Sequence, residues 1–119
     1  MQIAVTALGK TLESEIDTRF GRASYILIVD TEVLEFDVID NHENKNAFKG
    51  SGIQAAAAIC DKDAEVLLTG YCGPNAFKTL ETAGIKVVDD QNGRVIDAVQ
   101  LFKQGNVVYA TNANKEGHW

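Results

Sequence analysis

The chain has 119 residues, enough for one hydrophobic core without disulfide or metal staples, and a formal net charge of -6. That charge disfavours a general nucleic-acid binder held by phosphate neutralisation, and the carboxylates are scattered in singles and pairs such as Asp89-Asp90, which reads as solubility. The two cysteines, Cys60 and Cys72, form no CxxC pair, no charged segment followed by an apolar run opens the chain, and no apolar stretch is long enough to span a bilayer. A reduced, cytoplasmic setting without membrane or nucleic-acid partners is the expectation.

In chain order, Gln2-Ile3-Ala4-Val5-Thr6-Ala7 reads as an apolar strand, followed by a long polar connection over 8–23. Residues 25–29 form a strongly buried strand, Asp30-Thr31-Glu32 a turn, and residues 34–39 a strand with alternating faces, so the two should pair as a hairpin. A second long connection over 41–52 leads into an alanine-rich helix over 53–60, with Ser51 as its cap. A strand over 65–69, a helix over 74–83 stopped by Gly84, a strand over 85–88 and a helix over 94–103 ended by Gly105 complete the core. In the tail, Val107-Val108-Tyr109 is expected as a short edge strand, residues 111–117 as disordered, and Trp119 as a docking residue or simply exposed. The domain is therefore residues 1–105, with 106–119 as a C-terminal tail.

The order βββαβαβα implies an α/β fold: three meandering strands, then two crossover units. With right-handed crossovers, strands one, three, four and five point the same way and strand two runs against them. Connections 8–23, 41–52, 70–73 and 89–93 then gather at one edge, where open α/β sheets bind ligands. Long loops in a compact domain commonly carry function.

Several residues on that edge suit an anionic ligand. Thr69-Gly70-Tyr71-Cys72-Gly73-Pro74-Asn75-Ala76-Phe77 holds the only proline. Pro74 suits the first helical position and Gly73 the N-cap, leaving the Asn75 and Ala76 amides to face outward at the positive end of a helix dipole. The simpler reading of this segment is a tight turn with Cys72 as a half-buried thiol. Arg19 and Arg22 flank Gly21 and offer planar donors to oxyanions or sulfides, or else pair with Asp17 and merely pin the loop. Gly50, Ser51 and Gly52 bracket a helix start as a plausible anion cradle or a plain hinge. Gln91-Asn92-Gly93 is most simply a turn.

Other chemistries find little support. Gly9-Lys10-Thr11 lacks the upstream glycine of a P-loop, since Ala4 stands there. His42 and His118 are isolated and expected to be solvated, and Cys60 is expected as a small core residue. The first and fourth strands offer no clustered carboxylates for catalytic metals, and no nucleophile–base pairing can be picked out.

Arg19-Phe20-Gly21-Arg22-Ala23, Gly52-Ile53-Gln54-Ala55 and the 69–77 segment, taken in order, resemble the dinitrogenase iron-molybdenum cofactor biosynthesis family. That family includes NifX-like and NafY-like proteins and the C-terminal part of NifB, and the length and motifs are most similar to its free-standing orange-protein type. The resemblance implies a ribonuclease H-like three-layer fold with a five-stranded mixed sheet. It also implies non-catalytic binding, carriage or assembly of a metal-sulfur cluster, as a molybdenum-copper sulfide or an iron-molybdenum cofactor precursor, held without covalent attachment. On that reading Arg19, Arg22, Gly50, Ser51, Gly52, Cys72, Gly73 and Asn75 form the cofactor site, Cys72 is the candidate metal ligand, and a cluster donor or acceptor protein is the partner. The family often has a longer glycine run near residue 50 and Asn where this chain has Tyr71, and its cysteine is not universal. Alternatives are a regulatory protein-interaction module without a cluster and, with no base or nucleophile evident, an enzyme acting on a small anionic metabolite.

Overall fold

The computed structural model describes residues 1–42 and 51–111. Their elements are β1 (Gln2–Ala7), β2 (Tyr25–Asp30), β3 (Phe36–Asp40), α1 (Ser51–Asp61), β4 (Val66–Leu68), α2 (Pro74–Thr82), β5 (Lys86–Val88) and α3 (Val95–Lys103). The sheet order is β3-β2-β1-β4-β5. β2 runs antiparallel to both β1 and β3, while β4 lies parallel to β1 and β5 parallel to β4. Four strands thus share one direction, as the crossover rule requires.

Period-two alternation divides the core into two layers. Ala4, Ile26, Ile28, Leu67 and Val87 face Ala55, Ala56 and Ile59 of α1 and Ala76 and Leu80 of α2. Ile3, Val5, Leu27, Val29, Leu68 and Val88 face Val95, Ala98 and Val99 of α3. Both faces of the central strands are covered, so β1 and β2 are buried almost throughout. The result is the expected three-layer α/β arrangement.

The alanine content of α1 permits a very close helix pair. A Cβ built on Gly52 would lie 2.9 Å from the Ala76 Cβ of α2. Gly84 and Gly105 follow the ends of α2 and α3 with φ of +81° and +78°, the left-handed geometry that halts a helix. Ser51, expected as the cap of α1, is the first residue of the helix among the described residues.

Two strands differ most from expectation. β3 starts at Phe36, because the Asp30 carboxylate accepts the Glu32 N–H at 2.8 Å and Leu34 takes φ +60°, which closes a longer turn. β3 also shows little of the expected half-burial: only Ile39 is even partly covered. β4 is reduced to three residues, although the flanking Glu65 and Thr69 amides still bond across the sheet to Gln2 and Val88 carbonyls.

The tail forms no edge strand at 107–109. The Ala110 N–H donates to the Val87 carbonyl at 2.7 Å, tying the tail to β5, while the Lys86 ammonium sits 5.1 Å from the Tyr109 ring centroid. Thr111 is described; expectations for 112–119, including His118 and Trp119, lie outside the described residues.

Because the Gly52–Ala76 approach sets the α1–α2 distance, Gly52→Val should lower the unfolding free energy by about 1–3 kcal/mol. Urea denaturation checks this, and a midpoint equal to that of the unsubstituted chain would show that the helix pair can yield.

Candidate functional site

At the carboxyl end of β1 the chain must place a polar loop against a buried sheet edge. The Thr6 hydroxyl donates to the Asp17 carbonyl at 2.6 Å and lies 2.9 Å from the Thr69 hydroxyl, while the Asp17 N–H donates to the Thr6 carbonyl at 3.1 Å. Thr6, Thr69 and Asp17 are all buried, so these bonds replace the water each group has lost.

The Asp17 carboxylate grips the loop it begins. One oxygen accepts the Arg19 N–H at 3.2 Å and the other the Ser24 N–H at 3.3 Å. The Arg19 Nε stands 3.6 Å from the first of these oxygens, so the expected Asp–Arg pairing involves Arg19. Arg22 donates its N–H to the Arg19 carbonyl at 3.2 Å, and both arginine side chains are exposed on this turn.

Backbone contact joins this turn to the 69–77 segment. The Phe20 N–H donates to the Tyr71 carbonyl at 3.0 Å and the Tyr71 N–H to the Thr18 carbonyl at 2.7 Å, forming a parallel bridge between Arg19 and Tyr71. Gly70 makes the approach possible: a Cβ there would fall 2.5 Å from the Thr18 carbonyl oxygen and 2.7 Å from its Cα. Two of the three sequence motifs meet through Gly70, and the second and third meet through Gly52.

Gly73 is the N-cap of α2, as its sequence position suggests, with φ -70° and ψ 166° and no side-chain cap bond. Pro74 carries no amide hydrogen, and the first intrahelical bond runs from Phe77 N–H to Gly73 carbonyl at 2.9 Å. The Asn75 and Ala76 amides precede that bond, at the positive end of the helix dipole. Asn75 is exposed beside them.

Cys72 differs from the half-buried thiol of the simple turn reading. It is fully buried in the α1/α2 core, and burial together with the Asp89 charge pushes its thiol up to about 12. A protonated, buried thiol is a poor metal ligand until it loses its proton. Cys60 packs partly buried against the same core, as expected.

Gly50 lies outside the described residues, and Ser51 is placed only as part of α1. His42 is not simply solvated: its Nδ1 pairs with the Asp40 carboxylate, and its ring meets Tyr25 edge-on at 5.1 Å. At Gln91-Asn92-Gly93, expected as a turn, the chain bends with Gly93 at φ +85°, and the Gln91 and Asp90 amides bond to the Thr69 and Gly70 carbonyls. Among the described residues, no group of three His, Cys, Asp or Glu side chains is arranged to hold a metal ion, and no helix is long and apolar enough to cross a membrane.

Asn41 is the residue that sequence reasoning missed. It is fully buried, its Nδ2 donates to the Ala23 carbonyl at 2.8 Å, and its N–H donates to the Ser24 carbonyl at 3.0 Å, so the end of β3 braces the arginine turn. An asparagine just after a strand reads as a turn residue, and only the tertiary fold reveals its partners.

The fold and this edge define an α/β domain whose parallel strands end at a shared loop edge bearing two exposed arginines and the start of α2. Residues 1–105 match the family described as dinitrogenase iron-molybdenum cofactor, and the chain belongs to that family. The structure is similar to the apo form of the orange protein from Desulfovibrio gigas, at 44% identity over 96% of both chains with a TM-score of 0.93. It is also similar to a candidate NifB protein of the DUF35 family from Thermotoga, at 34% identity over 98% of both chains with a TM-score of 0.83. A candidate dinitrogenase from Methanocaldococcus jannaschii shares the fold at 18% identity, with 94% of this chain and 96% of that one covered and a TM-score of 0.70. No curated protein matches the chain.

Two outcomes follow from this geometry. Gly70→Ala should destabilise the chain by about 3 kcal/mol, because the clash is with main chain that cannot rotate away; chemical denaturation measures it, and a change near zero would contradict the close approach. For Cys72, the thiol is protonated in both folded and unfolded chains below pH 9, so its contribution is intact there; between pH 9 and about 12 only the unfolded thiol ionises. Stability should fall across that window by about 1.4 kcal/mol per pH unit more than in Cys72→Ala. Parallel denaturation curves for the two proteins would refute the buried thiol.

Proposed function

We propose that this chain binds an anionic metal-sulfur cluster as cargo and carries it or passes it to another protein, without turning over a substrate. The observation that carries the reading is the backbone junction of Arg19 and Tyr71. It brings an arginine-bearing turn and the uncapped start of α2 into one assembly. Guanidinium groups and helix-start amides are donors only, a set suited to sulfide or oxide corners that bear negative charge. Membership of the dinitrogenase iron-molybdenum cofactor family and likeness to the apo orange protein support the same class of ligand.

On this proposal Arg19 and Arg22 supply most of the retaining charge, while the amides of Asn75 and Ala76 fix orientation. Gly73 allows close approach, and the amides of Gly50, Ser51 and Gly52 add further donors. Cys72 plays a secondary part, since ligation would require its buried thiol to ionise and reach the cluster. Soft ligation there would favour copper(I) or iron over hard cations. The cargo is a molybdenum-copper sulfide or an iron-molybdenum cofactor precursor, the setting is cytoplasmic, and the exchange partner is a cluster donor or acceptor protein.

Anaerobic expression followed by absorption spectra and elemental analysis tests the proposal, with reconstitution from thiomolybdate and copper or from an iron-sulfur precursor. Arg19→Ala/Arg22→Ala should retain at least roughly tenfold less cluster than the unsubstituted chain, with Cys72→Ala losing much less. The reverse ranking would overturn the charge-dominated site. A colourless, metal-free protein that takes up neither kind of cluster would overturn cargo binding altogether.

A further inference from the structure

The two edges of the sheet are treated differently. On β5, a three-residue strand, the Ala110 N–H bonds to the Val87 carbonyl and occupies part of the edge. β3, at the opposite edge, has five residues. Asp30 N–H donates to Glu35 carbonyl and Asn41 N–H to Ser24 carbonyl, so by alternation the odd-numbered residues turn their backbone towards β2. The amides and carbonyls of Phe36, Val38 and Asp40 therefore face outward along an edge that no other strand among the described residues pairs with.

The side chains on this strand are equally distinctive. Val38 sits opposite Leu27 and Phe36 opposite Val29, so both continue the α3 face of the sheet beyond the reach of that helix. Val33, Phe36 and Val38 remain 63%, 37% and 39% exposed. A cleft of about 410 Å³ opens at the start of the strand, between Ile28, Leu34 and Phe36. Residues 30–40 carry the carboxylates of Asp30, Glu32, Glu35, Asp37 and Asp40 and no Lys or Arg. The nearby basic side chains among the described residues, Lys10 and His42, gather at the far end around Tyr25 and Asp40.

We propose that β3 is a docking edge for an extended, Lys/Arg-bearing segment of another protein, which adds to the sheet as a further strand. Edges left open in native proteins are usually blunted by charge, Pro or a bulge, and here the only such device is carboxylate charge, which opposes an acidic strand but attracts a basic one. Its charge selects the occupant. A second copy of the same strand would set carboxylate against carboxylate, which destabilises a paired edge, whereas alternating basic and apolar residues would meet the carboxylates and cover Phe36 and Val38. This surface is separate from the cluster proposal and is tested on protein without any cluster.

The probe is a short synthetic peptide alternating lysine and valine, compared with its glutamate–valine counterpart by amide NMR titration. The lysine peptide should perturb the Phe36, Val38 and Asp40 amides, slow their exchange, and bind at least roughly tenfold more tightly than the glutamate peptide, with affinity falling as salt rises. Val38→Pro removes an outward donor at an edge position and should abolish binding. Glu35→Lys/Asp37→Lys should invert the peptide preference, and this variant decides the matter if Val38→Pro does not fold. An equal response to both peptides, perturbations that map away from β3, or self-association through β3 in sedimentation would each overturn the proposal.

Discussion

The close backbone approach of Thr18 and Gly70 is the constraint on which the loop edge carrying the proposed site depends. A Cβ on Gly70 would meet main-chain atoms 2.5–2.7 Å away, so no other residue permits the two hydrogen bonds that join Thr18 and Phe20 to Tyr71. Once that contact exists, the polar groups it buries need partners, and Thr6, Thr69 and Asp17 supply them. Loop position, core satisfaction and the start of α2 are thus one problem with one solution. A long polar connection that would otherwise be costly to order is held by few, well-shielded bonds.

Net charge and local donors differ in character. The chain as a whole is acidic, with 17 Asp plus Glu against 11 Lys plus Arg, yet Arg19 and Arg22 are exposed on one turn and the start of α2 is the positive end of its helix dipole. At physiological salt, fields decay over roughly 8 Å, so a ligand in contact with this edge responds to the local donors far more than to distant carboxylates. The global charge then opposes unspecific binding of anions elsewhere on the molecule.

Much of this was legible in the sequence where the signal is local. Apolar runs fixed the central strands, Pro74 and Gly73 marked the start of α2, and Gly84 and Gly105 marked helix ends, because each follows from backbone chemistry within a few residues. What stayed hidden is tertiary. Gly70 reads as a turn glycine, and nothing in its neighbours announces Thr18 as the backbone it must clear. Asn41 reads as the first residue of a polar connection, although its side chain reaches back to Ala23. Cys72 shows the same limit: a thiol in a turn reads as half-exposed, and its burial depends on α1 packing over it. The exposure of β3 was likewise invisible, since its alternation resembles that of a half-buried strand and only sheet order makes it an edge.

Asn41 gives the two halves of the molecule a physical connection. It is the residue directly after β3, and through its side chain and its backbone amide it braces residues 23 and 24 behind the arginine turn. A strand added to β3 would restrain the outward amides of that element and stiffen its end. The same bonds from Asn41 would then limit the motion available to Arg22 and Ser24, and Ser24 is already gripped by Asp17. Coupling of this kind needs no rearrangement of the fold. It requires that the turn be less ordered before docking than after, so that a partner at the edge alters how firmly the arginines are held in place.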